Sequence, residues 1–461
     1  MTFDTARWQA RLDELRAEHH VPGASLAVLV DGEIHELASG VLHRGTGVEV
    51  TTDSVFQVGS ITKIHTATLI MRLADEGKLD LDAPVVDVLP EFAVADPEAT
   101  KRITTRQLLS HTSGMSGDFH AETGRGDDCL ARFVEACVNI AQDVPPGTVA
   151  SYSTSGYSVL GRIIEVLTGK TYDEALREML IVPLGLEHTV TLPEEALRFR
   201  AAMSHLGPSG AYPEPAPSWN PLQRSHTPGG AYLCASAADI VRLGKLHLDG
   251  GVAPDGTRLL SEQTVASMQR REVEVPDKWT VSSDAWGLGW TLYDWTGVFG
   301  YGHDGATVGQ HGYLRIAPEA GVVIALLCNG GDNPWTHSRG VYAALFRDLL
   351  SELAGARMPV EFAPATEPIE VDLARFVGTY RREGVAITVS ERNGKPYLVY
   401  DFVDGMAGLA PSLKMELEPV AENVFAGRNS PTEAYMPVVF GTLPDGTGCC
   451  YIGLRAAPKI A

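Results

Sequence analysis

Two residues three positions apart, Ser60 and Lys63 in "GSITKIHTATLI", are of types that do nucleophilic chemistry together. A serine hydroxyl is a weak nucleophile near neutral pH and needs a base and a place for an oxyanion. At the first turn of a helix, Ser60 has an unsatisfied N–H and positive dipole density around it, which supplies one oxyanion donor. Lys63 returns to the same face one turn later. Desolvated there, its ammonium is driven toward a neutral amine able to accept a proton. The ordinary alternative is a capped amphipathic helix followed by an unrelated lysine.

A second group of candidates lies in "PGTVASYSTSGYSVLG", residues 146–161, where Tyr152-Ser153-Thr154 precedes a helix opening near Gly156. A tyrosine whose phenolate is stabilised by a nearby ammonium can serve as general base to a serine. Its ordinary alternative is a buried aromatic beside a serine or threonine cap. A third lies in "GYGHDGATVGQHGYLRIAP", residues 300–318, where His303-Asp304-Gly305 ends a turn and begins a strand. Gly305 permits close approach of a ligand to the backbone, and the N–H of Ala306 is a candidate second oxyanion donor.

Ser60-x-x-Lys63, Tyr152-Ser153-Thr154 and His303-Asp304-Gly305, in this order, resemble the motifs of the penicillin-recognising serine enzymes. The similarity is greatest to the class C β-lactamase-like branch with its esterases, D-aminopeptidases and DD-peptidases. "LLSHTSGM" (108–115), "TPGGAYLCASAADI" (227–240), "WGLGW" (286–290) and "LLCNGG" (326–331) extend the resemblance over roughly residues 15–350. It implies that Ser60 is acylated and that Lys63 and Tyr152 share the proton transfer, with the order between them open. It also implies that His303, with Gly305 and Ala306, lines the strand that edges the site, with His303 among the catalytic residues and Thr154, Asp304 and Gly305 among the substrate contacts.

Two departures bear on the substrate. The family's Tyr-x-Asn is here Tyr-x-Thr, and the Thr154 hydroxyl cannot offer an amide's N–H2 donor and carbonyl acceptor together. The family's Lys-Thr-Gly or Lys-Ser-Gly is here His-Asp-Gly, and a histidine is largely neutral at pH 7. Acyl transfer from an ester, thioester or peptide is therefore expected ahead of β-lactam turnover. The chain resembles the penicillin-binding-protein-type thioesterases that release and cyclise nonribosomal peptides, which implies a peptidyl (thio)ester with a D-residue at the acyl end, delivered by a carrier protein. A serine esterase or D-amino-acid amidase or peptidase is the alternative, and a non-catalytic binding protein of the same fold the third. Arg125 in "GRGDD" and Arg455, which ends the last strand in "CCYIGLR", are the candidate cations for contacting a peptide. Arg125 is otherwise a solvated arginine pairing with Asp127 or Asp128.

The elements that must position these residues are legible from periodicity. "PGASLAVLVDGEIHELASGVLH" reads as a hairpin turning at Asp31-Gly32. From about 64 to 250 the pattern is mainly helical, and strand signals return at "WGLGWTLYDW" and "GYLRIAPEAGVVIALLCNGG" before a final helix, "VYAALFRDLLSELAG". The expected fold is α/β (α+β): one antiparallel sheet built from both ends of residues 1–355, with a helical subdomain inserted. Residues 356–371 read as a Pro-rich linker, and 372–461 as a small all-β domain; the resemblance implies a lipocalin-like barrel there.

Composition narrows the function classes. The net charge, 37 − 58 = −21, repels phosphate backbones and anionic lipid, so neither nucleic acid nor a membrane surface is an expected partner. The N-terminus reads as an amphipathic helix rather than a signal peptide, and the six cysteines as free thiols, so a cytoplasmic location is expected. His111, His303 and His311 are scattered with no ligand spacing, so neither a metal nor another cofactor is expected.

Overall fold

The computed structural model describes residues 3–461 apart from 209, 332–337, 368, 409 and 432. The chain first builds the centre of a sheet. Gly23–Val30, GASLAVLV, is apolar throughout and buried at every position, as a strand covered on both faces must be. It turns back at Asp31 and Gly32, whose φ values of 51° and 82° are those of a two-residue I′ turn. The returning strand, Glu33–His43, pairs Val30 with Glu33 and carries polar residues toward solvent.

The strands from the far end of the domain pair on the other side. Val322–Cys328 lies antiparallel to Gly23–Val30, then come His311–Ala317, Phe299–Ala306 and Thr291–Asp294, completing with short edge strands an antiparallel sheet of nine. One face carries Thr5–Glu18 and Arg339–Ala354 over Trp8, Leu12, Val341, Leu345 and Phe346. Each such side chain contributes about 1.5–3 kcal/mol on leaving water. The other face carries Ala237–Leu248 and the helical subdomain. Central to that subdomain is Thr62–Asp75, whose residues from Thr62 to Met71 are all buried. A helix covered on every side desolvates whatever charge it bears.

The His303-Asp304-Gly305 motif lies near the end of Phe299–Ala306 rather than at the start of a strand. The strand begins four residues earlier because Gly300 and Gly302 fit under the Trp295 ring and the Leu314 carbonyl, where a β-carbon would lie 2.2 Å and 2.0 Å from its neighbours. Arg339–Ala354 closes the catalytic elements with Gly355 at φ 64°. No helix or strand lies between it and the turn at Leu373–Arg375 among the described residues; position 368 of the expected linker lies outside them.

Residues Gly378–Pro458 form eight antiparallel strands in consecutive order, with an isolated bridge from Tyr380 to Lys459 nearly closing the barrel. "CCYIGLR" is two strands, not one: Gly448–Ile452 ends at a turn through Gly453 (φ 58°) and Leu454 (φ 69°), and Arg455 opens the last strand, Arg455–Pro458. All six cysteines are buried and free. No helix of the described residues is long and apolar enough to cross a membrane.

Candidate active site

Ser60 does not cap a helix. It lies in a 3-10 turn, Gly59–Ile61, that runs into Thr62–Asp75, and the first turn has no side-chain cap; the Thr62 hydroxyl instead donates to the Gly59 carbonyl at 2.7 Å. The Ser60 hydroxyl is thereby left for other partners. Lys63 Nζ lies 3.2 Å from Ser60 Oγ, 3.4 Å from Thr154 Oγ1 and 2.5 Å from the Gly229 carbonyl.

The electrostatics follow from burial. Desolvation pushes Lys63 well below the ordinary lysine range, and the nearby Arg455 pushes it further. Burial drives Tyr152 upward, against a hydrogen bond from Ser60 and the charge of Arg455, which favour the phenolate. Burial thus favours the amine over the ammonium and the phenol over the phenolate, with the Lys63 nitrogen 4.7 Å from the Tyr152 ring centroid. In its deprotonated form that amine can take the serine proton directly.

Tyr152 and Thr154 flank the start of the helix Thr154–Thr168. Ser153 is its N-cap, accepting from Gly156 N at 3.0 Å. The cap reading therefore holds for Ser153, while Tyr152, one residue earlier, takes no part in the cap and has Ser60 among the groups that favour its phenolate. Beneath it lies His111, whose ring centroid is 4.4 Å away and whose Nδ1 accepts from Ser153 N at 3.1 Å. Trp286 stands edge-on to both His111 and His303, at 4.9 Å and 5.5 Å.

The strand carrying the third motif packs directly on the Ser60 turn. A β-carbon on Gly305 would lie 1.9 Å from the Val58 carbonyl and 3.1 Å from Ser60 N, and one on Gly59 (φ 53°) 2.4 Å from Ala306 N. The backbone amides of Ser60 and Ala306 are therefore neighbours, as two donors to one oxyanion must be. His303 is buried, and burial, the largest cause, lowers it to about 4. Its Nδ1 faces the Asp304 carbonyl at 2.5 Å and so carries the proton, leaving Nε2 as a buried acceptor with no partner among the described residues.

Asp304 does not face this cluster. Its carboxylate pairs at 2.6 Å with Arg315, which is wholly buried between the rings of Tyr293 and Tyr342 on the side of the final helix. Alternation along the strand puts it on the opposite face from His303. Arg125 also lies elsewhere: it pairs with Glu194, is 63% exposed, and leaves Asp127 to Arg224. Arg455 is drawn in, its guanidinium 5.4 Å from the Tyr152 ring centroid.

Arg455 is held by Asp118: its Nη2 donates to Oδ1 at 2.6 Å, and its Nε lies in ion-pair contact 2.6 Å from Oδ2. Arg382, also from the barrel, reaches the same carboxylate at 3.1 Å. Burial alone would raise Asp118, but the two guanidinium groups hold it at about 2. Two arginines on one carboxylate leave one positive charge beside Tyr152. Asp118, Arg382, His111 and the Gly229 carbonyl were absent from the sequence candidates. "HTSGM" and "TPGGAY" mark the loops of His111 and Gly229 without naming the atoms, and no pattern marks a pair that spans two domains.

The Beta-lactamase family model matches residues 8–347. The chain belongs to that family. It is 60% identical over 386 residues, 84% of this chain and all of the relative, to "Penicillin-binding protein 4" of Amycolatopsis lactamdurans. It is 28% identical over 322 residues to "Unguisins hydrolase ungD'" of Aspergillus campestris, covering 59% of that protein. Among solved structures, SurE superposes with a TM-score of 0.79 at 28% identity over 99% of both chains, and SurE with D-Leu does so at 0.77. The octameric penicillin-binding protein homologue of Pyrococcus abyssi, at 21% identity and TM-score 0.65, shares the fold over 99% of this chain. Members of this family are serine hydrolases, and this chain has their fold.

Proposed function

We propose that the protein takes a peptidyl (thio)ester onto Ser60 and releases it to the peptide's own terminal amine, giving a head-to-tail macrocycle. Lys63 accepts the Ser60 proton as Oγ attacks the carbonyl, and Tyr152 relays it between the serine and the leaving group. The amides of Ser60 and Ala306 hold the oxyanion. The carbonyl–sulfur bond breaks, the thiol leaves with the proton, and an ester to Ser60 remains. The amine then attacks that ester, the carbon–oxygen bond breaks, and Ser60 Oγ regains a proton.

The observation that carries this reading is the likeness to SurE along the whole chain, barrel included, together with the structure of that protein with D-Leu. A D-residue at the acyl end fits it. The neutral His303 supports it too, because an unpartnered acceptor can receive an amine N–H where a lysine would repel an ammonium. Arg455, with Thr154 and Gly305, lines the peptide's side of the site. The barrel, read as lipocalin-like, acts as a wall that limits water. A carrier protein delivering the thioester and a cytoplasmic setting complete the proposal.

Hydrolytic release is the second reading, favoured by the relatives named a penicillin-binding protein and a hydrolase. The two readings separate on products. A linear peptide thioester with a D-residue at its acyl end should yield a macrocycle lighter than the linear acid by one water. A matched peptide ending in an L-residue should react far more slowly. Linear acid as the sole product would overturn the cyclase reading.

A further inference from the structure

The turn between the last two barrel strands touches the catalytic domain at four points. Leu454 N donates to Asp277 Oδ2 at 3.1 Å, and Leu454 O accepts from Tyr152 N at 3.0 Å. Ala456 N donates to Ser151 Oγ at 3.2 Å, and Arg455 pairs with Asp118. Leu454 has a φ of 69°, a region that leucine rarely adopts and that costs of order 1–3 kcal/mol unless the surroundings over-determine it. Its two backbone groups are held from opposite sides, the N–H by Asp277 and the carbonyl by Tyr152.

Asp277 is almost wholly buried. It also accepts from Thr280 N at 3.3 Å and Thr280 Oγ1 at 2.6 Å, with Arg339 and Cys450 nearby. Burial raises it to about 6, so the fold bears a cost to keep a carboxylate here. A carboxylate at this cost needs a task, and the only barrel group it bonds among the described residues is Leu454 N.

We propose that Asp277 is a positioning residue for Tyr152, acting through the backbone of Leu454. It fixes the left-handed turn that presents the Leu454 carbonyl to Tyr152 N and starts the strand bearing Arg455. The barrel thereby sets the height of the phenol over Lys63 and Ser60. This rests on Tyr152 taking part in proton transfer and not on the choice between cyclisation and hydrolysis.

The test is the rate at which a fluorophosphonate labels Ser60 in the full-length protein, followed from about pH 5 to about pH 10. Asp277→Ala should slow labelling about tenfold or more and move the pH profile, because small displacements of a reacting group are costly. Asp277→Asn keeps an acceptor for Leu454 N and should stay within about threefold of the parent. Leu454→Gly, which keeps both backbone groups and relaxes the φ, should stay within about twofold. Wild-type rate and profile in Asp277→Ala would overturn the proposal, as would equal losses in Asp277→Ala and Asp277→Asn that merely follow a fallen melting temperature. Tyr152→Phe separates the two readings. If it labels normally, the proton-transfer role fails and the proposal with it; if it is slow while Asp277→Ala is not, the proposal alone fails.

Discussion

Lys63 Nζ sits 2.5 Å from the Gly229 carbonyl, closer than to either hydroxyl beside it. That carbonyl takes one amine hydrogen and turns the remaining valence toward Ser60. A lysine held this way is a fixed base once deprotonated, and its buried helix favours that form. A side chain on Gly229 would lie 2.6 Å from Thr154 Cγ2, so the loop and the helix start lock together.

Lys63→Met and Lys63→Arg should each lower kcat/KM for an activated ester by about 10²–10⁴, the usual worth of a positioned base. Arginine restores the charge but cannot lose its proton, so it should not rescue. In the parent protein, activity should fall as pH drops through the lowered Lys63 pKa, since protonation removes the base. Arginine matching the parent would contradict the assignment.

The Thr154 hydroxyl is a minor partner of the amine. Its 3.4 Å separation from Lys63 Nζ is long for a hydrogen bond. Thr154→Ala should cost less than about tenfold in Ser60 labelling, well short of the loss at Lys63. Equal losses in steady-state acylation would show that Thr154 is part of the base.

The Asp118 cluster ties barrel to catalytic domain in a pH-dependent way. A carboxylate held at about 2, below its ordinary 3.8, stabilises the fold above the ordinary value and loses that contribution as pH falls from about 4 toward 2. Thermal melts should therefore show Asp118→Asn destabilised relative to the parent at pH 7, with the gap closing as both approach pH 2. A gap independent of pH would contradict the ion-pair account.

The Arg315–Asp304 pair predicts an asymmetry. Arg315 is fully buried, whereas 31% of the Asp304 side chain is exposed. Asp304→Ala strands a guanidinium in the interior and should cost about 3–5 kcal/mol in urea denaturation. Arg315→Met leaves a carboxylate that can still reach water and should cost less. The reverse order would show that packing of the cation between Tyr293 and Tyr342 outweighs its pairing.

The closeness of Ser60 and Lys63 was legible in the sequence because both sit within one helical turn, where spacing alone fixes proximity. The same is true of the Asp31-Gly32 hairpin and of the central apolar strands. What escaped was set by pairing across distance. "HDG" looked like a turn leading into a strand because glycine is read as punctuation, yet its glycine serves close packing against Val58. Asp304 was placed among substrate contacts because a motif is read as a unit, whereas strand alternation sends it to the far face. "YIGLR" was read through as one strand because a leucine at positive φ has no sequence signal. Arg455 was found and its partner was not, since Asp118 lies 337 residues away.

The central claim, acylation of Ser60 followed by capture by an amine, is tested most directly by quenched intact-protein mass spectrometry with the D-terminated peptidyl thioester. A peptidyl adduct should appear on Ser60, be absent from Ser60→Ala, and decay in step with the macrocycle. An adduct that decays only to linear acid, or no adduct on the wild-type protein while product forms, would contradict it.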